Sequence, residues 1–272
     1  MRLPHRHTLL QYPSIHLLSV LCLHQHRSAS FQEWCSNMIM KLLAFLFAAC
    51  IMSQTPPAVA AGAQPVTWTD PLSGIAFVWI PGGCFEMGMT PAEEAALRAS
   101  VPERFFAKHY GDEPRRQACP EGFWMATREI TQAQWTAVTG MPPQHCIDAQ
   151  GETLPVTWVP WLEAAAFARA LNGLHNGTQS FALPSEAQWE TACRQQAAGG
   201  SGRAEALRGL LDAPDEWVDE YYTADGQPPA VEDPAAMRVL KGERCSNRRG
   251  AVPGYVHCGV GFRLVRLAPG PQ

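Results

Sequence analysis

The residues best suited to chemistry lie near the end of the chain, in the segment Lys-Gly-Glu-Arg-Cys-Ser-Asn-Arg-Arg (241–249). This segment places Cys245 beside Arg244, Arg248 and Arg249, and Cys258 follows after a turn at residues 250–254. Guanidinium groups clustered in this way can hold a carboxylate or a phosphate. They could equally be surface charges that offset a nearby acidic segment, so both interpretations stay open.

That acidic segment is itself a candidate metal site. Its members are Asp212, Asp215, Glu216, Asp219 and Glu220. Carboxylates together with backbone carbonyls suit Ca²⁺, and we assign the first four residues to a calcium site. Their spacing matches no known calcium loop, so a solvated acidic face is the simpler alternative.

The tryptophans of the chain divide into one candidate for ligand binding and a larger core group. Trp217 lies between acidic residues and is predicted to be an exposed platform for a ligand. The spacing of the others, Trp158 among them, is typical of core residues.

The charge of the chain excludes one class of partner. The net charge is −4 over 272 residues, and after residue 61 the chain has 17 basic and 24 acidic side chains. A nucleic-acid binder needs a basic face, so no nucleic acid is expected as a partner. With 46% hydrophobic residues, the chain can bury one substantial core or two small ones.

The N-terminal residues have the features of a secretory signal. Residues 1–37 precede two internal methionines, and we interpret them as an over-extended gene start, with translation beginning at Met38 or Met40. A basic residue and an apolar run (42–52) then lead to small residues at 58–60, which predicts a signal peptide over 38–61 cleaved near Ala60. The apolar run is shorter than the roughly 20 residues of a membrane span.

Two alternatives for this region stay open. Residues 1–37 could be a real extension with an internal anchor, or Cys50 could become the lipid-anchored first residue of a lipoprotein. In each case the following domain is exported, and the expected location is periplasmic or secreted.

Export changes the interpretation of the thiols. Six cysteines remain in the exported part: Cys84, Cys119, Cys146, Cys193, Cys245 and Cys258. An even number in an oxidising compartment favours a disulfide framework over free thiols. Sequence alone does not choose among the 15 pairings that six cysteines allow.

Short strand-like runs alternate with about three helices, which predicts a single α+β domain over residues 66–267. The clearest helix begins after Ser185, which caps it together with Gln188. On that helix Trp189 and Cys193 are predicted to be buried, and Glu186 and Glu190 to face solvent. A second helix begins in the same way after a threonine at 131, and a third spans about 160–171.

The segment Leu-Pro-Ser-Glu-Ala-Gln-Trp-Glu-Thr-Ala-Cys-Arg (183–194) resembles a signature of the formylglycine-generating, or sulfatase-modifying factor, family. Four further segments match in the family's order. They are Phe-Val-Trp-Ile-Pro-Gly-Gly-Cys-Phe-Glu-Met-Gly (77–88), Phe-Trp-Met-Ala-Thr-Arg-Glu-Ile-Thr-Gln-Ala-Gln-Trp (123–135), Leu-Pro-Val-Thr-Trp (154–158) and Gly-Phe-Arg-Leu-Val-Arg (261–266). The resemblance implies a loop-rich, C-type-lectin-like fold with short antiparallel strands.

The resemblance also implies an activity, the oxidation of a sulfatase cysteine to formylglycine by oxygen and copper. Active members hold the copper between two cysteines that shortly follow an Arg/Lys-Gly-Gly-Ser-aromatic motif. Here the Gly-Ser-aromatic part is absent and only Cys245 lies nearby, so the weak catalytic candidates are Cys245 and the more distant Cys258. A disulfide between them is the alternative, and bound copper is not expected.

The resemblance suggests a disulfide pattern as well. Cys84 and Cys119 flank the first two family segments, which look like neighbouring strands. We therefore predict the pairs Cys84–Cys119, Cys146–Cys193 and Cys245–Cys258.

The sequence favours an exported binding or accessory module without the copper centre. It would present the segment between Cys245 and Cys258 to an exported protein or a small ligand. The alternative is an oxidative maturation enzyme that acts on an exported protein or metabolite. Calcium is the one metal that remains a candidate at this stage.

Overall fold

The computed structural model of the chain describes residues 65–110, 115–144, 146, 150–199, 202, 206–211, 214–223, 226, 229 and 233–271. The predicted gene start (1–37), the signal peptide (38–61) and the Cys50 anchor lie outside these residues, as does Asp212. Among the helices described, none has both the length and the apolar character needed to cross a membrane.

Helices and short strands alternate along the domain, which confirms the α+β class. Five helices lie in the described part: α1 (Pro91–Ser100), α2 (Glu103–His109), α3 (Gln132–Thr139), α4 (Trp161–Leu174) and α5 (Glu186–Ala198). The sequence predicted α3, α4 and α5, and α1 and α2 are two further short helices. The strands are β1 (Thr67–Thr69), β2 (Ala76–Ile80), β3 (Phe85–Met87), β4 (Arg116–Ala118), β5 (Phe123–Ala126), β6 (Phe181–Ala182), β7 (Asp215–Tyr221), β8 (Arg238–Gly242), β9 (Arg244–Ala251), β10 (Val260–Phe262) and β11 (Val265–Arg266).

The described strands form three small sheets. The first has the order β1-β2-β5-β11-β6, the second β10-β7-β8-β9, and the third pairs β3 with β4. The last family segment (261–266) spans parts of two strands, β10 in the second sheet and β11 in the first. The chain between them therefore ties the two larger sheets together.

Local capping determines where two of the helices begin. The hydroxyl of Thr131 accepts a hydrogen bond from the backbone N–H of Gln134, whose side chain accepts from the N–H of Thr131. Ser185 and Gln188 form the same reciprocal pair at the start of α5. Each arrangement satisfies two N–H groups that the first helical turn leaves without partners, as predicted.

Two apolar clusters hold the described elements together. One includes Trp135, Phe167, Trp217 and Phe262 and joins α3 and α4 to the second sheet. The other packs α5 against both larger sheets and includes Trp189. The second sheet is therefore covered on both faces, which explains why its central strands are buried.

Three disulfides cross-link the part of the domain that the structure describes. Cys84 pairs with Cys119, as predicted, because the two residues flank the antiparallel strands β3 and β4. The other two predicted pairs are wrong. Cys193 pairs with Cys245, because α5 turns its buried face towards β9, and the Cα atoms lie 5.4 Å apart.

The third disulfide joins Cys146 to Cys258 across 112 residues. It anchors the loop that follows β9 to the segment after α3. The errors in the predicted pairs arose because both depend on how distant elements pack, which neighbouring motifs do not reveal.

Candidate functional site

The β8–β9 hairpin occupies the place where active relatives are expected to carry their cysteine pair. Gly242 and Arg244 are partners in the register with Glu243 between them, and the register shifts between Leu240 and Gly242, so that residues 245–248 lie opposite Lys241 alone. The backbone φ of Glu243 is 58°, in the left-handed region that usually favours glycine. The strand that contains Cys245 begins directly after this residue, and Cys245 is the only cysteine of the hairpin.

The two weak catalytic candidates do not meet. Cys245 is bonded to Cys193 on α5, and Cys258 is bonded to Cys146. A Cu(I) centre of this type needs two thiolates that point at one ion, and each of these sulfurs is already in a different disulfide. The residues present therefore do not fit the copper site that the resemblance implies.

A compensated group of charges fills the space between α5 and the hairpin. Lys241 is fully buried, with its Nζ 3.3 Å from Glu190 Oε2 and 3.6 Å from Glu186 Oε1. The guanidinium of Arg248 donates to Glu186 over 2.9 Å, and Arg194 lies 2.8 Å from Glu190. Burial by itself would raise the pKa of Glu186, but Lys241 and Arg248 outweigh it and hold that pKa below its ordinary value.

This arrangement corrects one prediction from the sequence. Glu186 and Glu190 were expected to face solvent, but both are buried, because β8, β9 and the segment before α1 cover that side of the helix. Buried charges persist when they are paired and hydrogen-bonded. The charges of this group therefore offset one another and stabilise the hairpin.

A second buried pair lies beside it. Arg263 donates to Glu216 through two nitrogens, at 2.6 and 2.7 Å, and the indole of Trp189 donates to the same carboxylate at 2.9 Å. Glu129 lies close by, and burial, with the charge of Glu216 adding to it, raises the pKa of Glu129 to about 7. The backbone of Gly209, with a φ of 76°, passes close to the carboxyl group of Glu129.

The three proposed calcium ligands that the structure describes do not converge, and Asp212 lies outside the described residues. Glu216 is held by Arg263, while Asp215 pairs with the exposed Arg249, and Asp219 is four residues along the same strand from Asp215. Successive side chains of a strand point to opposite faces, so Glu216 faces α5 and the two aspartates do not. Among the described residues, no group of three or more His, Cys, Asp or Glu side chains is placed to hold a metal ion.

Trp217 is not the exposed platform that the sequence suggested. It is fully buried, and its indole N–H donates to the carbonyl of Val159 over 2.8 Å. Trp217 lies on β7, which is flanked by β10 and β8 in the sheet. The segment before α4 covers the face of the sheet on which its side chain lies.

The three arginines have three different environments. Arg248 is buried in its pair with Glu186, and Arg249 is about half exposed in its pair with Asp215. Arg244 is partly buried, with its guanidinium 4.5 Å from the ring centre of Tyr110. The three arginines are close along the chain, but Arg248 and Arg249 point to opposite faces of β9 and Arg244 packs on a different element.

The exposed part of the predicted segment is the loop after β9. Here Tyr255 and His257 are exposed, with their rings nearly parallel and their centres 6.3 Å apart. The N–H of Gly259 donates to His257 Nδ1 over 3.0 Å, so the neutral ring carries its proton on Nε2 and offers a donor there. The disulfide at Cys258 fixes the end of this loop.

Trp158 extends this surface. It was expected in the core, but its side chain is 38% exposed and its backbone φ is 62°, a rare conformation for a bulky residue. Its N–H donates to the carbonyl of His257 over 3.2 Å, which places it beside the loop. We call Trp158, Tyr255 and His257 the aromatic loop surface. Apart from the glycines at 250 and 254, no pattern in the sequence indicates it.

Comparison with known families settles the assignment of the domain. The family described as the sulfatase-modifying factor enzyme 1-like domain matches residues 64–225, more than half of the chain. The chain belongs to this family. A comparison with curated protein sequences finds no match.

Solved structures resemble this sulfatase-modifying factor domain in fold. Treponema denticola variable protein 1 matches with a TM-score of 0.52 at 16% identity, covering 75% of this chain and 99% of that one. The structure of PvdO from Pseudomonas aeruginosa matches with a TM-score of 0.56 at 17% identity, with the same coverage. At such identities the likeness establishes the fold alone.

Proposed function

We propose that this sulfatase-modifying factor domain is an exported binding or accessory module that uses the aromatic loop surface to hold a partner. The observation that carries the proposal is the commitment of Cys245 and Cys258 to separate disulfides. The two sulfurs therefore cannot hold one copper ion between them. The family match itself ends at residue 225, before the β8–β9 hairpin begins.

The alternative function, an oxidative maturation enzyme, would need two thiols that converge. Cys245 and Cys258 are committed to separate disulfides, and the space under the hairpin contains paired charges. Fold alone does not transfer an activity, so the family resemblance does not restore the oxidase function.

The aromatic loop surface has the properties of a binding site. Aromatic side chains are enriched where proteins bind partners, because they bury much area at a small entropic cost. Residues held in sparsely populated backbone conformations also cluster at functional sites, and Trp158 is such a residue. Its strained backbone and the disulfide at Cys258 both hold the surface in one conformation before any partner arrives.

The disulfides of the described residues also support export. Cross-links of this number persist in oxidising compartments and are rare in the cytosol. The pairing of all six cysteines that remain after the predicted signal peptide agrees with a periplasmic or secreted location.

Site-specific photocrosslinking in the producing cell tests the proposal. A photoreactive phenylalanine analogue replaces Tyr255, and in a matched control it replaces Leu72, which is 52% exposed on the turn between β1 and β2. We expect a discrete crosslinked product from position 255 and none of that mass from position 72. The proposal is wrong if the two positions give the same products.

A further inference from the structure

Arg238 differs from the other buried cations of the domain. Lys241, Arg248 and Arg263 each lie within hydrogen-bonding distance of a buried glutamate. Arg238 is only 8% exposed, yet no carboxylate of the described residues lies within the 4.0 Å of an ion pair. Buried charges are normally paired, so the missing counter-ion requires an explanation.

Two aromatic rings hold the guanidinium of Arg238 in place. Its Cζ lies 3.8 Å from the ring centre of Trp161 and 3.6 Å from that of Tyr221, so the group is clamped between them. Nη1 donates to the backbone carbonyl of Asp219 at 3.1 Å, and Nε has no acceptor among the residues that the structure describes. Burial raises the pKa of the Asp219 carboxyl and the charge of Arg238 opposes the rise, so the two groups attract each other without an ion pair between them.

An exposed apolar side chain adjoins this clamp. Leu162 follows Trp161 at the start of α4 and is 53% exposed. A small anion would leave it in water, whereas the residues on either side of an acidic side chain in a polypeptide would cover it.

We propose that Arg238 is the anchor of a docking surface for an acidic polypeptide, with one aspartate or glutamate carboxylate of the partner as the missing counter-ion. Trp, Tyr and Arg are the residues most often found at the energetic centre of interfaces. A clamped guanidinium is already oriented, so little side-chain freedom is lost when the carboxylate binds. The docking surface consists of Trp161, Leu162, Tyr221 and Arg238.

This inference rests on the proposed function, since it names the class of partner that a binding module would hold. The two can fail separately. The docking surface is tested on the purified domain with synthetic peptides, whereas the aromatic loop surface is tested by crosslinking in the cell. A negative peptide result with crosslinking still specific for position 255 would remove the acidic partner and keep the binding function.

The test uses capped heptapeptides with a central glutamate and leucines one, two or three positions to either side, and matched peptides with a central glutamine. The observable is the Nε–H resonance of Arg238, followed by NMR during the titration. We expect at least one glutamate peptide to shift this signal and to bind about tenfold or more tightly than its glutamine partner, because a charged acceptor meets an uncompensated donor.

Variants separate the anchor from the fold. Arg238→Lys should weaken the binding of that peptide by about tenfold or more, since lysine lacks the planar fork. Arg266→Lys is the matched control, because Arg266 also stacks on an indole, at 4.2 Å from Trp68, but its Nε already donates to Gln179. Leu162→Ser should weaken peptide binding with an unchanged melting temperature. If Arg238→Lys fails to fold, the glutamate and glutamine peptides on the unmodified domain decide the question.

Three results would overturn the proposal. The glutamate and glutamine peptides could bind equally, acetate or inorganic phosphate alone could bind as tightly as the best peptide, or Arg266→Lys could weaken binding as much as Arg238→Lys. The second result would assign the site to a small anion rather than to a polypeptide.

Discussion

The carboxyl group of Glu220 makes the stability of the domain depend on pH in a direction that can be worked out. It accepts a hydrogen bond from the backbone N–H of Glu186, at 2.7 Å, at the start of α5. Burial raises the pKa of Glu220 to about 7, and the carboxylates of Glu186 and Asp219 add to the rise, while the hydrogen bond and Arg116 oppose it. The folded state therefore holds this proton more tightly than the unfolded chain does.

The sign and size of the effect follow from this difference. Between the ordinary pKa of 4.5 and the folded value of about 7, the folded domain binds more protons than the unfolded chain. Its stability therefore falls as the pH rises through this window and levels off above it. At about 1.36 kcal/mol per pKa unit, the full loss from this one group is roughly 3 kcal/mol.

Glu220→Gln keeps an oxygen that can accept from Glu186 and removes the charge. We expect its free energy of unfolding, from urea titrations with the disulfides intact, to exceed that of the unmodified domain by roughly 3 kcal/mol at pH 8 and by about 1 kcal/mol or less at pH 5. Glu163→Gln, on the exposed side of α4, is the control and should change neither value by more than about 0.5 kcal/mol. An equal effect of Glu220→Gln at both pH values would refute the reasoning.

Three further variants test the buried network and the cross-link. Lys241→Met leaves two buried glutamates with fewer partners and should destabilise the domain by about 3–5 kcal/mol; a loss below about 1 kcal/mol in urea unfolding would contradict the description of this group. Replacing both Cys193 and Cys245 with alanine removes a cross-link that spans 52 residues. This should lower the free energy of unfolding by roughly 3–4 kcal/mol. An unchanged value would mean that the bond does not form. Gly209→Ala adds a methyl group about 2.5 Å from Glu129 Oε1 at a left-handed backbone position. It should lower the free energy of unfolding, measured by thermal unfolding, by about 2 kcal/mol or more. A neutral result would contradict the close approach.

The features of the fold that depend on nearby residues could be predicted from the sequence. The capping pairs at Thr131 and Ser185 involve residues three positions apart, so their types alone identify the start of each helix. The pair Cys84–Cys119 could be predicted because the first two family segments form neighbouring strands, β2 and β5, and the two cysteines flank them.

The features that depend on distant packing could not be predicted. The apolar period of α5 shows which face enters the core, but it does not show that β8 and β9 cover the opposite face and bury Glu186 and Glu190. The partner of both is Lys241, about fifty residues away along the chain. The exposure of Trp158 has the same kind of cause, since its backbone conformation depends on a hydrogen bond to the loop at His257.

The chemistry of the candidate site segment could not be predicted from the sequence. The segment that contains Cys245 and Cys258 does lead to an exposed loop, as expected. Sequence separation alone could not show that each of these cysteines has a nearer partner in space. Nor could it show that Trp217, flanked by acidic residues, lies on a strand that is covered on both faces.

The central claim, that this domain keeps the family fold without its oxidase centre, is tested most directly by an assay for aldehyde. The purified domain is incubated with a peptide that contains the cysteine motif of a sulfatase. Its disulfides are kept intact, and copper and oxygen are supplied. The peptide is then treated with an aldehyde-capturing reagent and analysed by mass spectrometry. The separate disulfides of Cys245 and Cys258 predict that the cysteine stays unchanged. Formation of the captured aldehyde above the level of a control without protein would contradict the claim.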